Sequence, residues 1–375
     1  MIKEIYINNY RCLVNFRMNA ESFQLWVGDN GGGKTSVLDA LRSIQRVLSG
    51  DHVEDIFSET SLTSWISREK HGEQEFGVTL DIGGEEYTYA LTIQYNLAER
   101  RHRIGTEKLT WNGNTFYQFD GKDAHLYQID RQTKAPREGT KFSADWNRSM
   151  ISTVAERNDN GPLIRFREEV RRWLIVQPVP LVVKQVAETE TRSLSRYAEN
   201  FAQWYRHLLQ EDPGIAYQAR EYLQHVLPGF EELSLKDSGE FRRLTAKFRI
   251  NNKDNLFDFA DLSDGQRQLL VLYTILEAMR KKIYSVLLID EPDNFVSLRE
   301  IKPWLTELQE LCEDHAAQAI LISHHPTIVN HMARGKEVWF SRKQGAHTVT
   351  LPYPTTPGLT PAETMERGWD DEQSV

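Results

Sequence analysis

Gly28-Asp29-Asn30-Gly31-Gly32-Gly33-Lys34-Thr35 decides how the chain is read, because the run has the spacing G-x-x-x-x-G-K-[ST] and lies between an apolar stretch and a helix-favouring one. Glycines let successive backbone N–H groups curl around phosphate oxygens, and a helix beginning at the lysine adds its dipole. Lys34 is placed to reach terminal phosphates, and the Thr35 hydroxyl to bind Mg²⁺. Upstream, residues 2–7, 12–18 and 23–27 read as short strands, and a helix is predicted over about 34–48. The competing reading is a glycine-rich turn whose lysine faces solvent.

Three further elements bear on that choice. Val286-Leu287-Leu288-Ile289-Asp290-Glu291-Pro292 is an apolar strand ending in two acids. Beside a phosphate loop, Asp290 suits the metal shell and Glu291 the polarisation of an attacking water. A lone acidic pair would be read as a turn capping a strand. Leu262-Ser263-Asp264-Gly265-Gln266-Arg267 opens an apolar helix, and by itself it reads as a capped core helix. Leu321-Ile322-Ser323-His324-His325-Pro326 sets a histidine just past a buried strand, within reach of a terminal phosphate, although an isolated histidine there is more often a structural hydrogen-bonder.

In this order the four elements resemble the ABC-class ATPase heads: Walker A at Gly28 to Thr35, signature at Leu262 to Gln266, Walker B with its glutamate at Asp290 and Glu291, and switch histidine at His324. Asn9-Tyr10-Arg11, followed by Asn15-Phe16-Arg17, also resembles the strand before the phosphate loop in RecF, SMC and OLD-type ATPases. The resemblance covers roughly residues 1–50 and 255–340. It implies an α/β fold, a P-loop NTPase head of ABC type with a mixed sheet flanked by helices and an inserted β-rich and helical lobe. It implies ATP and Mg²⁺ as cofactors, ATP hydrolysis, and a homodimer that sandwiches the nucleotide. Nucleotide contacts carry over to Arg11, Gly28, Asn30, Gly31, Gly33, Lys34, Thr35 and Ser36, with Ser263, Gly265 and Gln266 completing the site from the second copy. Thr35 and Asp290 take the metal, and Glu291, His324 and Lys34 the catalytic roles. Asp264 departs from the signature, where transporter heads have glycine, and the 293–298 segment lacks the usual aspartate or histidine of the family's D-loop. The Q-loop glutamine stays open among Gln74, Gln94 and others.

Spacing selects within the class. Lys34 and Ser263 stand 229 positions apart, and Ser263 and Asp290 only 27, so a large lobe interrupts the head. Transporter ATPases resemble the head but carry a much shorter insert. The expected division is 1–75 for the first half of the head, 76–144 for a β-rich lobe with turns at Gly83-Gly84 and Asn112-Gly113, 145–228 for a helical insertion, 229–354 for the second half, and 355–375 for an extended tail. OLD proteins continue into a nuclease after the head, whereas about 35 residues follow Phe340. A nuclease or toxin is therefore expected on a separate chain, with a role in antiviral defence. The alternative is a RecF-like DNA-binding ATPase of repair and recombination.

Composition agrees. The 375 residues carry 54 acidic and 45 basic side chains, a net charge of −9 that excludes a basic nucleic-acid-coating protein while allowing a local basic groove. Cys12 and Cys312 have no metal-ligand spacing, and with no signal-like or membrane-spanning stretch a cytoplasmic protein is expected. Arginines gather at 100–103, at Arg165, Arg167, Arg171 and Arg172, at Arg192 and Arg196, and at Arg242 and Arg243, interleaved with Phe166, Trp173, Tyr197, Trp204 and Tyr205. That pattern fits nucleic acid or a protein partner, and equally well solvated helix faces over core aromatics.

Overall fold

The computed structural model describes residues 1–63, 72–96, 98, 101–129, 136–157, 160–332, 337–342, 347–353 and 359–366. The chain opens with β1 (Ile2–Asn8), β2 (Phe16–Asn19), β3 (Phe23–Gly28), α1 (Lys34–Ser49) and the short α2 (Val53–Ile56). There follow β4 (Glu73–Ile82), β5 (Glu85–Asn96), β6 (Arg101–Trp111), β7 (Asn114–Phe119), β8 (Asp123–Ile129) and β9 (Pro136–Ser143). Next come α3 (Gly161–Arg171), β10 (Trp173–Val176), β11 (Val186–Ala187), α4 (Phe201–Glu211) and α5 (Gly214–Val226). The last part holds β12 (Phe230–Ser238), β13 (Phe241–Ile250), β14 (Lys253–Asp258), α6 (Asp264–Arg280), β15 (Val286–Asp290), α7 (Leu298–Glu313), β16 (Gln318–Ile322), α8 (Pro326–Met332), β17 (Glu337–Arg342), β18 (Thr348–Pro352) and α9 (Pro361–Glu366).

The central sheet runs β10-β15-β16-β3-β17-β18, parallel except for its last strand. Its first four strands, β10, β15, β16 and β3, are nearly all apolar because both faces are covered. Alternate side chains serve two cores: Leu25, Val27, Leu287, Ile289 and Leu321 join one with α4, α5, α6 and α7, while Trp26, Val286, Leu288, Ile320 and Ile322 join another with α1 and the first antiparallel sheet. That second sheet has the order β2-β1-β4-β5-β6-β7-β8-β9. A smaller one, β11-β13-β12 with β14 on β13, lies in the later half. This is the mixed, helix-flanked head with a β-rich lobe that the resemblance implied.

Four local expectations change. Residues 12–18 are not a strand throughout: Asn9, Arg11 and Asn15 take left-handed backbone angles, Tyr10 and Leu13 close a tight turn, and β2 starts at Phe16. The β-rich region does not begin apart from the head, since β4 starts at Glu73 and pairs with β1. The 145–228 stretch holds α3, α4 and α5, yet its Trp173-Leu174-Ile175-Val176 run pairs in parallel with β15 as the edge of the central sheet. In the tail, Thr360 and Glu363 cap the short helix α9 and the Tyr353 hydroxyl donates to the Pro361 carbonyl; residues 354–358 and 367–375 lie outside the described residues.

Helix α6 is buried from Gln268 to Met279, and this buries an acid with it. Glu277 has an ion pair to Arg280 at 3.4 Å, but neither of its oxygens is hydrogen-bonded among the described residues. Glu307 on α7 and Glu221 on α5 add negative charge nearby, against Arg280 and Lys281. Burial, chiefly, pushes Glu277 up to about 7 from 4.5. A raised folded value means stability that is complete below about 4.5 and is lost as pH climbs towards about 7. Replacing Glu277 with Gln removes the ionisation, so the variant is expected to gain on the order of 2 kcal/mol over wild type at pH 8 relative to pH 5. Urea unfolding of both proteins at the two pH values checks this; parallel curves would exclude it.

Candidate functional site

The site grows out of the end of β3. Gly28, Gly31 and Gly33 take left-handed backbone angles of 126°, 81° and 111°. A side chain on Gly28 would run into the Phe340 carbonyl of β17, the strand that pairs with it there. The loop thus turns tightly and delivers α1 with Lys34 as its first residue. Lys34 is buried, and its Nζ donates to the carbonyls of Gly28 at 2.5 Å and Asp29 at 2.9 Å. Burial pushes its ammonium down to about 8, against the pull of Asp290, Asp29 and Glu291.

β15 brings the acids to the same place. The Thr35 hydroxyl donates to Asp290 Oδ2 at 3.1 Å. Asp290 is buried, and burial pushes it up to about 6, with the charge of Glu291 adding and the Thr35 bond and Lys34 opposing. Two hard oxygen donors facing each other at the foot of a glycine cradle are a fit for Mg²⁺. Glu291 has a left-handed φ of 49°, its N–H donates to the Ile322 carbonyl of β16 at 2.8 Å, and its carboxylate is about one-third exposed. His324, two residues beyond β16, holds Nε2 4.0 Å from Glu291 Oε1. Burial and then the charge of Lys34 keep its pKa below the ordinary histidine value.

Together these groups line one cavity of about 570 Å³. Arg11, Asn30, Gly31, Gly33, Lys34, Thr35, Ser36, Asp290, Glu291 and His324 all border it, and Gly28 shapes its loop from below. Ser263, Gly265 and Gln266 do not border it. Ser263 caps α6 on the surface, its hydroxyl accepting from the Gln266 N–H while the Gln266 side chain accepts from the Ser263 N–H. Asp264 is the first helical residue, paired with Arg267 at 3.6 Å and set favourably against the helix dipole.

The structure also brings in residues that sequence reasoning passed over. Gln177, directly after β10, borders the cavity, with its N–H donating to the Arg196 carbonyl at 2.7 Å. Gln74 is instead buried against Asn9 and Ser61, and Gln94 bonds Glu73 on the antiparallel sheet. On the other flank Arg342 Nε donates to the Gly31 carbonyl at 2.7 Å and the Thr348 hydroxyl to that of Gly32 at 2.8 Å, so the β17–β18 hairpin braces the glycine loop. Asp39 of α1 joins Arg11 at 2.5 Å to Arg196 at 2.8 Å.

The arginine clusters fare differently. Arg165, Arg167, Arg171, Arg172, Arg196, Arg242 and Arg243 pair with Glu85, Glu168, Glu168, Glu169, Asp39, Asp237 and Asp258. Phe166, Trp173, Trp204 and Tyr205 are core residues, leaving Tyr197 as the exposed aromatic of the set. Arg100 lies outside the described residues. Among the described residues no helix is long and apolar enough to cross a membrane.

Comparison with known proteins agrees with this geometry. A family model described as AAA domain, putative AbiEii toxin, type IV TA system matches residues 27–330. The DNA replication and repair protein RecF of Glaesserella parasuis serovar 5 (strain SH0165) is 26% identical over 251 residues, which cover 61% of this chain and 66% of that protein, just under two thirds of its length. Among solved structures, an SMC head bound to the C-winged helix domain of ScpA superposes with a TM-score of 0.54 at 15% identity, covering 94% of this chain and 97% of that one, a likeness of fold. Since the family match spans most of the chain, from the phosphate loop past the acidic strand end and the histidine, the chain belongs to this AAA-domain family.

Proposed function

We propose that the chain binds Mg²⁺-ATP in this cavity and hydrolyses it, and that two copies close on the nucleotide to hold or control a separate effector, a nuclease or toxin, in antiviral defence. The observation that carries the chemistry is the convergence of Lys34, the Thr35–Asp290 pair and Glu291 on one glycine-lined cavity. The loop N–H groups, the start of α1 and Lys34 neutralise phosphate charge. Thr35 and Asp290 would hold the Mg²⁺, which supplies further charge neutralisation when bound. Glu291 accepts the proton of the attacking water, and His324, on the same side, contacts the terminal phosphate. Gln177 borders the cavity and, with Asp290, a small recess beside it, so it is a candidate to hold a water of the metal shell.

Closure by a second copy is supported by Ser263, Gly265 and Gln266, which do not border their own cavity, Ser263 being exposed and the other two half-buried. The family description, with its toxin and toxin–antitoxin system, supports an effector. A second reading, a DNA-repair ATPase, is favoured by the RecF likeness, but the pairing of Arg165, Arg171 and Arg242 with acids leaves it weaker. The test is light scattering on size-exclusion of Glu291→Gln with and without Mg²⁺-ATP. A mass that doubles with ATP is expected, and an ATP-bound monomer would refute closure; salt-sensitive DNA retention by the ATP-bound form would favour the second reading.

A further inference from the structure

A carboxylate that serves as a base needs a partner that fixes its rotamer while leaving one oxygen for water. Glu291 has such a partner three residues on: Asn294 Nδ2 donates to Glu291 Oε2 at 2.6 Å. The other oxygen, Oε1, faces His324 and the cavity. Asn294 is itself held in place. Its N–H donates to the Glu291 carbonyl at 3.3 Å, closing the turn. Gln268, fully buried on α6, donates to the Pro292 carbonyl at 3.1 Å. Gly265 approaches the turn so closely that a side chain there would meet the Phe295 carbonyl at 2.7 Å. The left-handed angles of Glu291 and Phe295 mark a backbone fixed by these contacts.

We infer that Asn294 is a positioning residue for Glu291, fixing one carboxylate oxygen so that the other is presented to the water, with the turn that carries it seated on the first turns of α6 through Gln268 and Gly265. This rests on the reading of Glu291 as the base. Asn294 is not among the residues that border the cavity, so its removal is expected to act on turnover and not on binding.

Hydrolysis of Mg²⁺-ATP and binding of a fluorescent ATP analogue are measured for wild type, Asn294→Ala, Asn294→Asp, Glu291→Gln and the double variant. Asn294→Ala is expected to lower kcat about tenfold with KM and analogue affinity within about twofold of wild type. Asn294→Asp keeps the shape but sets a like charge against Glu291, so it is expected to be at least as slow. In the Glu291→Gln background Asn294→Ala is expected to cost nothing more, because the group it positions is gone. Wild-type kcat in Asn294→Ala, or the same fold loss in both backgrounds, overturns the inference while Glu291→Gln stays slow. Failure of the underlying reading looks different: Glu291→Gln turning over at the wild-type rate, or a wild type without turnover, overturns both.

Discussion

Glu291→Gln is expected to lower the turnover of Mg²⁺-ATP by about 10²–10⁴-fold while leaving nucleotide affinity within a factor of about three. The substitution keeps the shape of the side chain but removes the site that takes a proton. Among the described residues of the cavity the other candidates are committed elsewhere: Asp290 is tied to Thr35, and His324, 4.0 Å from Oε1, has its pKa held low. The amide can still rest beside Asn294. Phosphate release measured beside equilibrium nucleotide binding separates the two effects, and a variant that hydrolyses normally would take Glu291 out of the mechanism.

Lys34→Ala is expected to raise the dissociation constant for ATP by at least about 100-fold, roughly 3 kcal/mol, because it removes the one buried cation of the glycine loop. Its Nζ already sits among carbonyls and is partly desolvated, which is why burial, outweighing the pull of the nearby acids, drives it down to about 8. That desolvation cost is met in the fold, and a bound phosphate would recover it as attraction. Titration calorimetry with ATP and Mg²⁺ reads the loss. Binding that survives within a few-fold would mean that the loop N–H groups suffice and Lys34 serves the loop's own carbonyls.

How much of this was legible in the sequence depends on how local the physics is. The glycine loop, β3, α1, β15 and β16 follow from short-range patterns: left-handed glycines, an apolar run buried on both faces, an acid at its end. The antiparallel strands were readable from alternation and from the two glycine turns. β10 was not, because four apolar residues directly after a charged helix carry no period of their own and only parallel pairing with β15 makes them a strand. Gln177 was hidden for the same reason, since it enters the cavity through that pairing. Arg342 and Thr348 brace the loop across more than 300 residues of chain, a contact no local pattern encodes. The Asn9 to Asn15 turn was mistaken because apolar Cys12, Leu13 and Phe16 imitate a strand while three left-handed residues bend it.

The continuity of β4 with β1 bears on how this chain can be cut or rebuilt. An excision that began inside β4 would leave β1 with β2 as its one sheet neighbour and strip cover from Trp26, Ile320 and Ile322 on one side of the central sheet. The segment that interrupts the head in sequence is thus part of its wall, and a shortened head would have to carry a substitute surface for that face. Room for added or removed length lies at the hairpin tips, at Gly83-Gly84 and Asn112-Gly113, where open space surrounds the glycines and no core side chain depends on them.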